Sequence, residues 1–176
     1  MQTPKIIKGE RIILQRFDST IANAQAIFNA VDANREHLSK VNVAGDNKTP
    51  KDSLKYLSNN TVYAIFINNI LSGGIHYFDF KKDTKSVEIG YWLIKSSEGN
   101  GYISDALKLL ENELFKKVNR ITLGLNTDNV RSSNVATRNG YRLEGHFLQD
   151  HFNTNTKKIV DSLWYAKLKS EWEMSK

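Results

Sequence analysis

The chain of 176 residues contains no cysteine, so disulfides, thiolate metal sites and cysteine nucleophiles are all excluded. Proline is almost absent too, with only Pro4 and Pro50, and no low-complexity stretch or internal repeat divides the chain. Residues 1–176 therefore read as a single domain, long enough to bury about two-thirds of the surface its unfolded chain exposes. No apolar run approaches the length of a membrane span. The start, Met1-Gln2-Thr3-Pro4-Lys5, lacks the apolar core of a signal peptide, so a cytoplasmic protein is the expectation. The histidines His37, His76, His146 and His151 show no metal-ligand spacing, and no metal is expected. No Gly-Lys-Ser/Thr follows a glycine-rich turn, which rules out a P-loop. The three-glycine dinucleotide fingerprint is not evident either.

What remains is an ordinary globular composition, 40% hydrophobic and 25% charged, with a formal net charge of +6. The basic residues are scattered. They read either as a solvated surface or as a modest positive field attracting a polyphosphate or acidic partner. No motif supports DNA binding.

Residues 11–17 alternate as a strand. Asp18, Ser19 and Thr20 then offer capping side chains to a helix running to about Ala30. A second helical piece is expected over 34–41, a loop over 43–49, and a helix from Pro50 to about Asn59-Asn60. Val62–Ile67, Leu71–Phe80 and Val87–Ile94, joined by short polar turns, form an antiparallel meander. The last of these is nearly all apolar, which suits a strand covered on both faces. Gly90 inside it signals either a bulge or a close approach by another group.

The segment Ser96-Ser97-Glu98-Gly99-Asn100-Gly101-Tyr102 joins that strand to a helix with apolar residues at Ile103, Ala106, Leu107, Leu110, Leu114, Phe115 and Val118. A glycine-rich turn at a helix start either shapes the chain or holds an anion on unpaired N–H groups. Arg120–Leu125 is the next strand, parallel to the one before the crossover. A helix over 132–139 stops at Gly140. Strands around Tyr141–His151 and Lys158–Leu168 complete an α+β domain with a mixed, mostly antiparallel sheet of about seven strands and one parallel crossover.

Taken together, several pieces resemble the GCN5-related N-acetyltransferase superfamily, and within it the ribosomal-protein N-terminal (Rim-type) branch. They are Glu88-Ile89-Gly90-Tyr91-Trp92-Leu93, the Gly99/Gly101 turn, Asn129 with Ser132, Asn139-Gly140-Tyr141, Leu143-Glu144-Gly145 and the tail Val160–Ala166 with Glu171-Trp172. Glu98 and Asn100 depart from that pattern, which has a glutamine before the first glycine and a basic residue between the two.

The resemblance implies a sheet splayed at its centre with helices on both faces, acetyl-CoA as co-substrate, a primary amine as acceptor and a homodimer. The acceptor is expected to be a protein N-terminus such as a ribosomal protein's, with a small amine or a non-catalytic CoA sensor as alternatives. The coenzyme is expected along Trp92, Leu93 and Ile94, on Glu98, Gly99, Asn100, Gly101, Tyr102, Ile103 and Ser104, and against Asn129, Ser132 and Arg138. Glu88 reads as the general base or as a structural carboxylate. Ser132 reads as the donor to the leaving thiolate or as a helix cap. Asn34, Arg35, Tyr91, Asp150 and His151 are the acceptor-side candidates. An α-amino group near pKa 8 costs about 1.4 kcal/mol to deprotonate at pH 7 and a lysine about 4.6, so an N-terminal amine needs only a mild base.

Overall fold

The computed structural model describes residues 3–39, 47–59, 61–153 and 156–175. One eight-stranded sheet runs through it: β1 (Ile6–Lys8), β2 (Ile13–Phe17), β3 (Thr61–Ile67), β4 (Ile70–Lys81), β5 (Ser86–Leu93), β6 (Arg120–Asn126), β7 (Arg142–Asn153) and β8 (Lys158–Leu168). Its spatial order is β1-β2-β3-β4-β5-β6-β8-β7. Every neighbouring pair is antiparallel except β5 and β6. The helices are α1 (Ile21–Asp32), α2 (Arg35–Leu38), α3 (Pro50–Asn59), α4 (Tyr102–Leu114), α5 (Val130–Arg138) and α6 (Lys169–Met174).

The β3–β4–β5 meander and the parallel β5–α4–β6 crossover stand as the pattern of apolar residues predicts. The sheet has one strand more than expected, the short β1, paired to β2 from Ile6↔Gln15 to Lys8↔Ile13. The first helix extends to Asp32, and α4 ends at Leu114, with a hydrogen-bonded turn carrying Val118 into the core. Helix α5 begins two positions earlier than expected because Asn129, not a later residue, caps it. Positions 40–41 of the second helical piece, 43–46 of the expected loop, and Asn60 lie outside the described residues.

Strand alternation splits the core in two. In β3, Tyr63 and Ile65 join the cluster under α4 that holds Ala106, Leu107, Leu110 and Leu114. Val62 and Ala64, pointing the other way, join Ala24, Ile27, Val31 and Leu57 of α1 and α3. Helices thus cover both faces of the sheet's centre. Among the described residues no helix is long and apolar enough to cross a membrane.

Gly90 resolves to the second of its two readings. Its pairing with His76 is regular, and the β4–β5 register shift lies further along, between Phe78 and Lys81. A Cβ on Gly90 would come within 2.5 Å of the His76 ring. That ring is fixed by Tyr56 and stacks on Phe78.

The parallel pairing of β5 with β6 covers only Ser86↔Arg120, Val87↔Ile121 and Glu88↔Thr122. Beyond Glu88 the strands part, β5 continuing to Leu93 and β6 to Asn126. The helices that follow the parted strands are tied to each other. Lys167 Nζ donates to Glu111 Oε2 of α4 at 2.9 Å and to the Asn139 carbonyl closing α5 at 3.0 Å, while Asn139 Nδ2 donates to Ser104 Oγ at 2.9 Å. Lys167 and Glu111 are both buried, so removing one leaves the other an uncompensated charge. Lys167→Met is expected to lower stability by about 3 to 5 kcal/mol in urea unfolding, and adding Glu111→Leu to restore most of it.

Candidate functional site

Where β5 and β6 separate, a cavity of about 390 Å³ opens. It is lined from β5 by Glu88, Tyr91 and Trp92, from β6 by Gly124 to Asn126, and from the start of α5 by Asn129 and Ser132. Its far wall comes from β7 and β8, as Asp150, His151, Ser162 and Trp164. Asn47, Tyr56, His76 and Phe78 also line it.

Glu88 extends toward Gly124, where a Cβ would lie 3.0 Å from Glu88 Oε1. The glycine in β6 is what makes room for the carboxylate. Burial pushes the Glu88 carboxyl up to about 7, and the Asp79 charge adds to this, while Lys81 and a backbone hydrogen bond at Gly124 pull the other way. A carboxyl group titrating near neutrality can exchange protons with an amine.

Asn129 Oδ1 accepts from the Ser132 N–H at 3.2 Å and so is the cap of α5. That removes the capping explanation for Ser132. Ser132 lines the cavity beside Tyr91. The Tyr91 hydroxyl donates to the Ser132 carbonyl at 3.4 Å, and burial raises Tyr91 to about 12, so it stays protonated.

Two residues that the sequence reading did not single out shape the wall next to Trp92. His76 Nδ1 and the Tyr56 hydroxyl share a hydrogen bond of 2.8 Å. Burial lowers His76 to about 4, which keeps it neutral, and raises Tyr56. Their only sequence signal is Gly90, the glycine that makes space for the histidine ring.

The glycine turn follows the end of β5 that has parted from β6. Gly99 and Gly101 both have φ of 79°, a left-handed conformation glycine adopts without strain. Gly101 is the cap residue of α4. None of the backbone N–H groups from Gly99 to Ser104 donates to another described residue. This gives an anion-binding strand of amides at the positive end of a helix dipole. Asn100 folds its side chain back to the Glu98 carbonyl at 3.0 Å. Arg11, unremarked in the sequence, braces the turn. It donates to the Asn100 carbonyl at 3.0 Å, pairs with Asp105 at 2.6 Å and lies over the Tyr102 ring. Ile103 packs into the core, and Ser104 accepts from Asn139.

Two side chains meet the Glu98 carboxylate. Arg131 of α5 pairs with it, and His37 Nε2 lies 3.1 Å from Oε1. This contact links the loop after β5 to the helix after β6. Arg138 sits exposed on α5 and reaches Tyr91 only through its charge.

Other predicted residues lie outside the cavity. The Ile94 N–H is committed to the Ser72 carbonyl at 2.9 Å, and Leu93 is buried in the core. Asn34 Oδ1 accepts from the Lys95 N–H at 3.3 Å, and Arg35 pairs with Asp32 and donates to the Asn47 carbonyl at 3.0 Å. They hold the cavity's margin instead of lining it. Among the described residues no three metal-ligating side chains gather.

Asp150 reaches the cavity through a distortion of β7. The β7–β8 register shifts between Phe147 and His151, and Gln149 has φ of 52°. Asp161 pins this irregularity, accepting from the Gln149 N–H at 2.8 Å and contacting His146 Nε2 at 3.0 Å. These bonds lower the Asp161 carboxyl below its ordinary range, the Gln149 N–H most of all. Asp150 Oδ2 then accepts from Ser162 Oγ at 2.9 Å.

Residues 11–142 match the family model described as an acetyltransferase (GNAT) domain. Over 110 residues, 57% of its length, the chain is 37% identical to the ribosomal-protein-serine acetyltransferase of Escherichia coli K12. It spans 62% of the length of that curated relative. The fold resembles that of RimL, a ribosomal L7/L12 α-N-protein acetyltransferase solved with coenzyme A, at a TM-score of 0.83 and 23% identity, covering 94% of this chain and 99% of that one. It also resembles the microcin C7 self-immunity acetyltransferase MccE, solved with acetyl-CoA and AMP, at a TM-score of 0.82 and 21% identity over 94% and 97% of the two chains. The parted strands, the unpaired amides beside them and this match across most of the chain agree on one conclusion: the protein belongs to the GNAT acetyltransferase family.

Proposed function

We propose that the protein is an acetyl-CoA-dependent N-acetyltransferase whose acceptor is the α-amino group of a protein N-terminus, of the kind its ribosomal-protein acetyltransferase relatives modify. The observation that carries this reading is the separation of β5 from β6 immediately after Glu88, with the unpaired amides of residues 99–104 beside the opening. The reading includes a cytoplasmic protein, and a homodimer drawn from the resemblance.

The residues present fit the coenzyme. The amides from Gly99 to Ser104 suit its diphosphate, and the backbone edge of β5 near Trp92 and Leu93, freed from β6, suits the amides of its pantetheine arm. When bound, acetyl-CoA supplies an activated acyl group. The protein's part is to hold an amine beside Glu88 and accept its proton as the nitrogen bonds to carbon. Ser132, with Asn129 fixing the helix start, is within the same cavity to give a proton to the departing sulfur. Backbone N–H groups near Leu93 stabilise the negative charge that develops on the acyl oxygen.

Two outcomes follow for measurement. Glu88 must be ionised to act as a base, and its carboxyl titrates at about 7. Thiol-release assays are therefore expected to show kcat/KM rising with pH through about 7, on the way to the amine's own limb. Glu88→Gln is expected to lose the limb near 7 and about 10²- to 10⁴-fold in kcat. Its thermal stability should not fall, because the folded state holds the Glu88 proton more tightly than the unfolded state does. That contribution is full below the ordinary carboxyl range and is lost as pH rises through about 7, so at neutral pH and above the ionised carboxylate opposes folding.

The second outcome concerns Glu98, which occupies Arg131 and places a like charge beside the diphosphate. Glu98→Gln frees the guanidinium and removes the repulsion. Calorimetry is expected to find coenzyme A bound about three- to tenfold more tightly by the variant, the range open to a largely exposed ion pair. Unchanged or weaker binding would show that Glu98 does not compete with the coenzyme.

A further inference from the structure

The chain carries a net charge of +6, yet among the described residues lining the cavity there is no lysine or arginine. Its charged lining consists of two carboxylates, Glu88 and Asp150. Glu88 is accounted for by proton transfer. Asp150 is not, and its position is built by other residues. The distortion of β7 pinned by Asp161 turns it to the cavity, as such irregularities re-aim side chains, and Ser162 holds one of its oxygens.

Its depth can be read from the strand register. Glu88 lies opposite Thr122 of β6, while Ser162 lies opposite Asn126. Glu88 leans forward to Gly124, midway between those rows. The remaining two residues of β6 amount to about 7 Å at roughly 3.3 Å per residue. An amine beside Glu88 would therefore bring the next group of an extended acceptor, not the amine itself, to Asp150.

Resting on the acetyltransferase reading above, we propose that Asp150 is a specificity-determining residue. It makes the cavity select primary amines whose neighbouring group is cationic or neutral, and reject those with an anionic group in that position. An anion there meets a fixed carboxylate and no lysine or arginine among the described lining residues, whereas a cation gains a charge-assisted partner. Peptide N-termini with a basic second residue and polyamines fit this chamber. Acidic N-termini and amines bearing an adjacent carboxylate do not.

The test uses three tripeptide amides, Ser-Lys-Ala, Ser-Ala-Ala and Ser-Asp-Ala, which keep the reacting residue constant. Thiol release at saturating acetyl-CoA gives kcat/KM, and quenching of Trp92 and Trp164 fluorescence gives binding independently of turnover. The proposal expects the order lysine, alanine, aspartate by both readouts, with about a fivefold to tenfold span. It expects Asp150→Asn to shrink that span below about twofold while Asp150→Glu keeps it. Equal handling of the three peptides, absence of peptide binding, or an undiminished span in Asp150→Asn would overturn it. If coenzyme A binds and peptides bind in the expected order without turnover, the proposal stands and the catalytic reading fails.

Discussion

The arrangement rests on the early end of one parallel strand pair. β5 and β6 hydrogen-bond over three residue pairs and then diverge, while each stays paired on its other side, β5 to β4 and β6 to β8. Backbone groups in mid-sheet are ordinarily all satisfied, because leaving them unpaired away from water costs about as much as a lost hydrogen bond. A sheet that forgoes pairing at its centre has groups left to bond something else. Here the gap leads to a cavity on one side and to six unpaired amides beside it on the other. The amide-rich, anionic coenzyme that the proposed activity requires matches both.

Holding that gap open falls to interactions outside it. Lys167, Glu111 and Asn139 fix α4 against the end of α5, and Arg11 steadies the glycine turn from the opposite side. The wall that carries Asp150 depends on Asp161 in the same way. Each of these residues is a brace instead of a participant. Of the groups proposed to meet the reactants, the amides of residues 99–104 have no acceptor among the described residues, Gly124 gives Glu88 room, and Ser132 lines the cavity.

Much of this was legible in the chain. The nearly all-apolar run of β5, the helical spacing of α4 and the glycines at 99 and 101 each state a local requirement that the structure meets in place. Glu88, Tyr91, Trp92, Asn129, Ser132, Asp150 and His151 do come together in one cavity. What was not legible depends on contacts distant in sequence. β1 is three residues long and exists by pairing with β2. Apolar spacing to Val118 could not reveal that the helix ends at Leu114, since the turn that follows buries Val118 equally well. Arg11 lies 94 residues from the Asp105 it pairs with, and no local pattern announces that. Asn34 and Arg35 were displaced from acceptor contact to support because their side chains engage Lys95, Asp32 and Asn47.

The most direct measurement is a ¹⁵N–¹H spectrum of the labelled protein titrated with coenzyme A. The account predicts saturable shifts that are largest at the amides of Gly99 through Ser104, with a second set at the β5 residues beyond Glu88. Saturable binding that leaves the amides of residues 99–104 unmoved, or no binding at millimolar coenzyme, would contradict it.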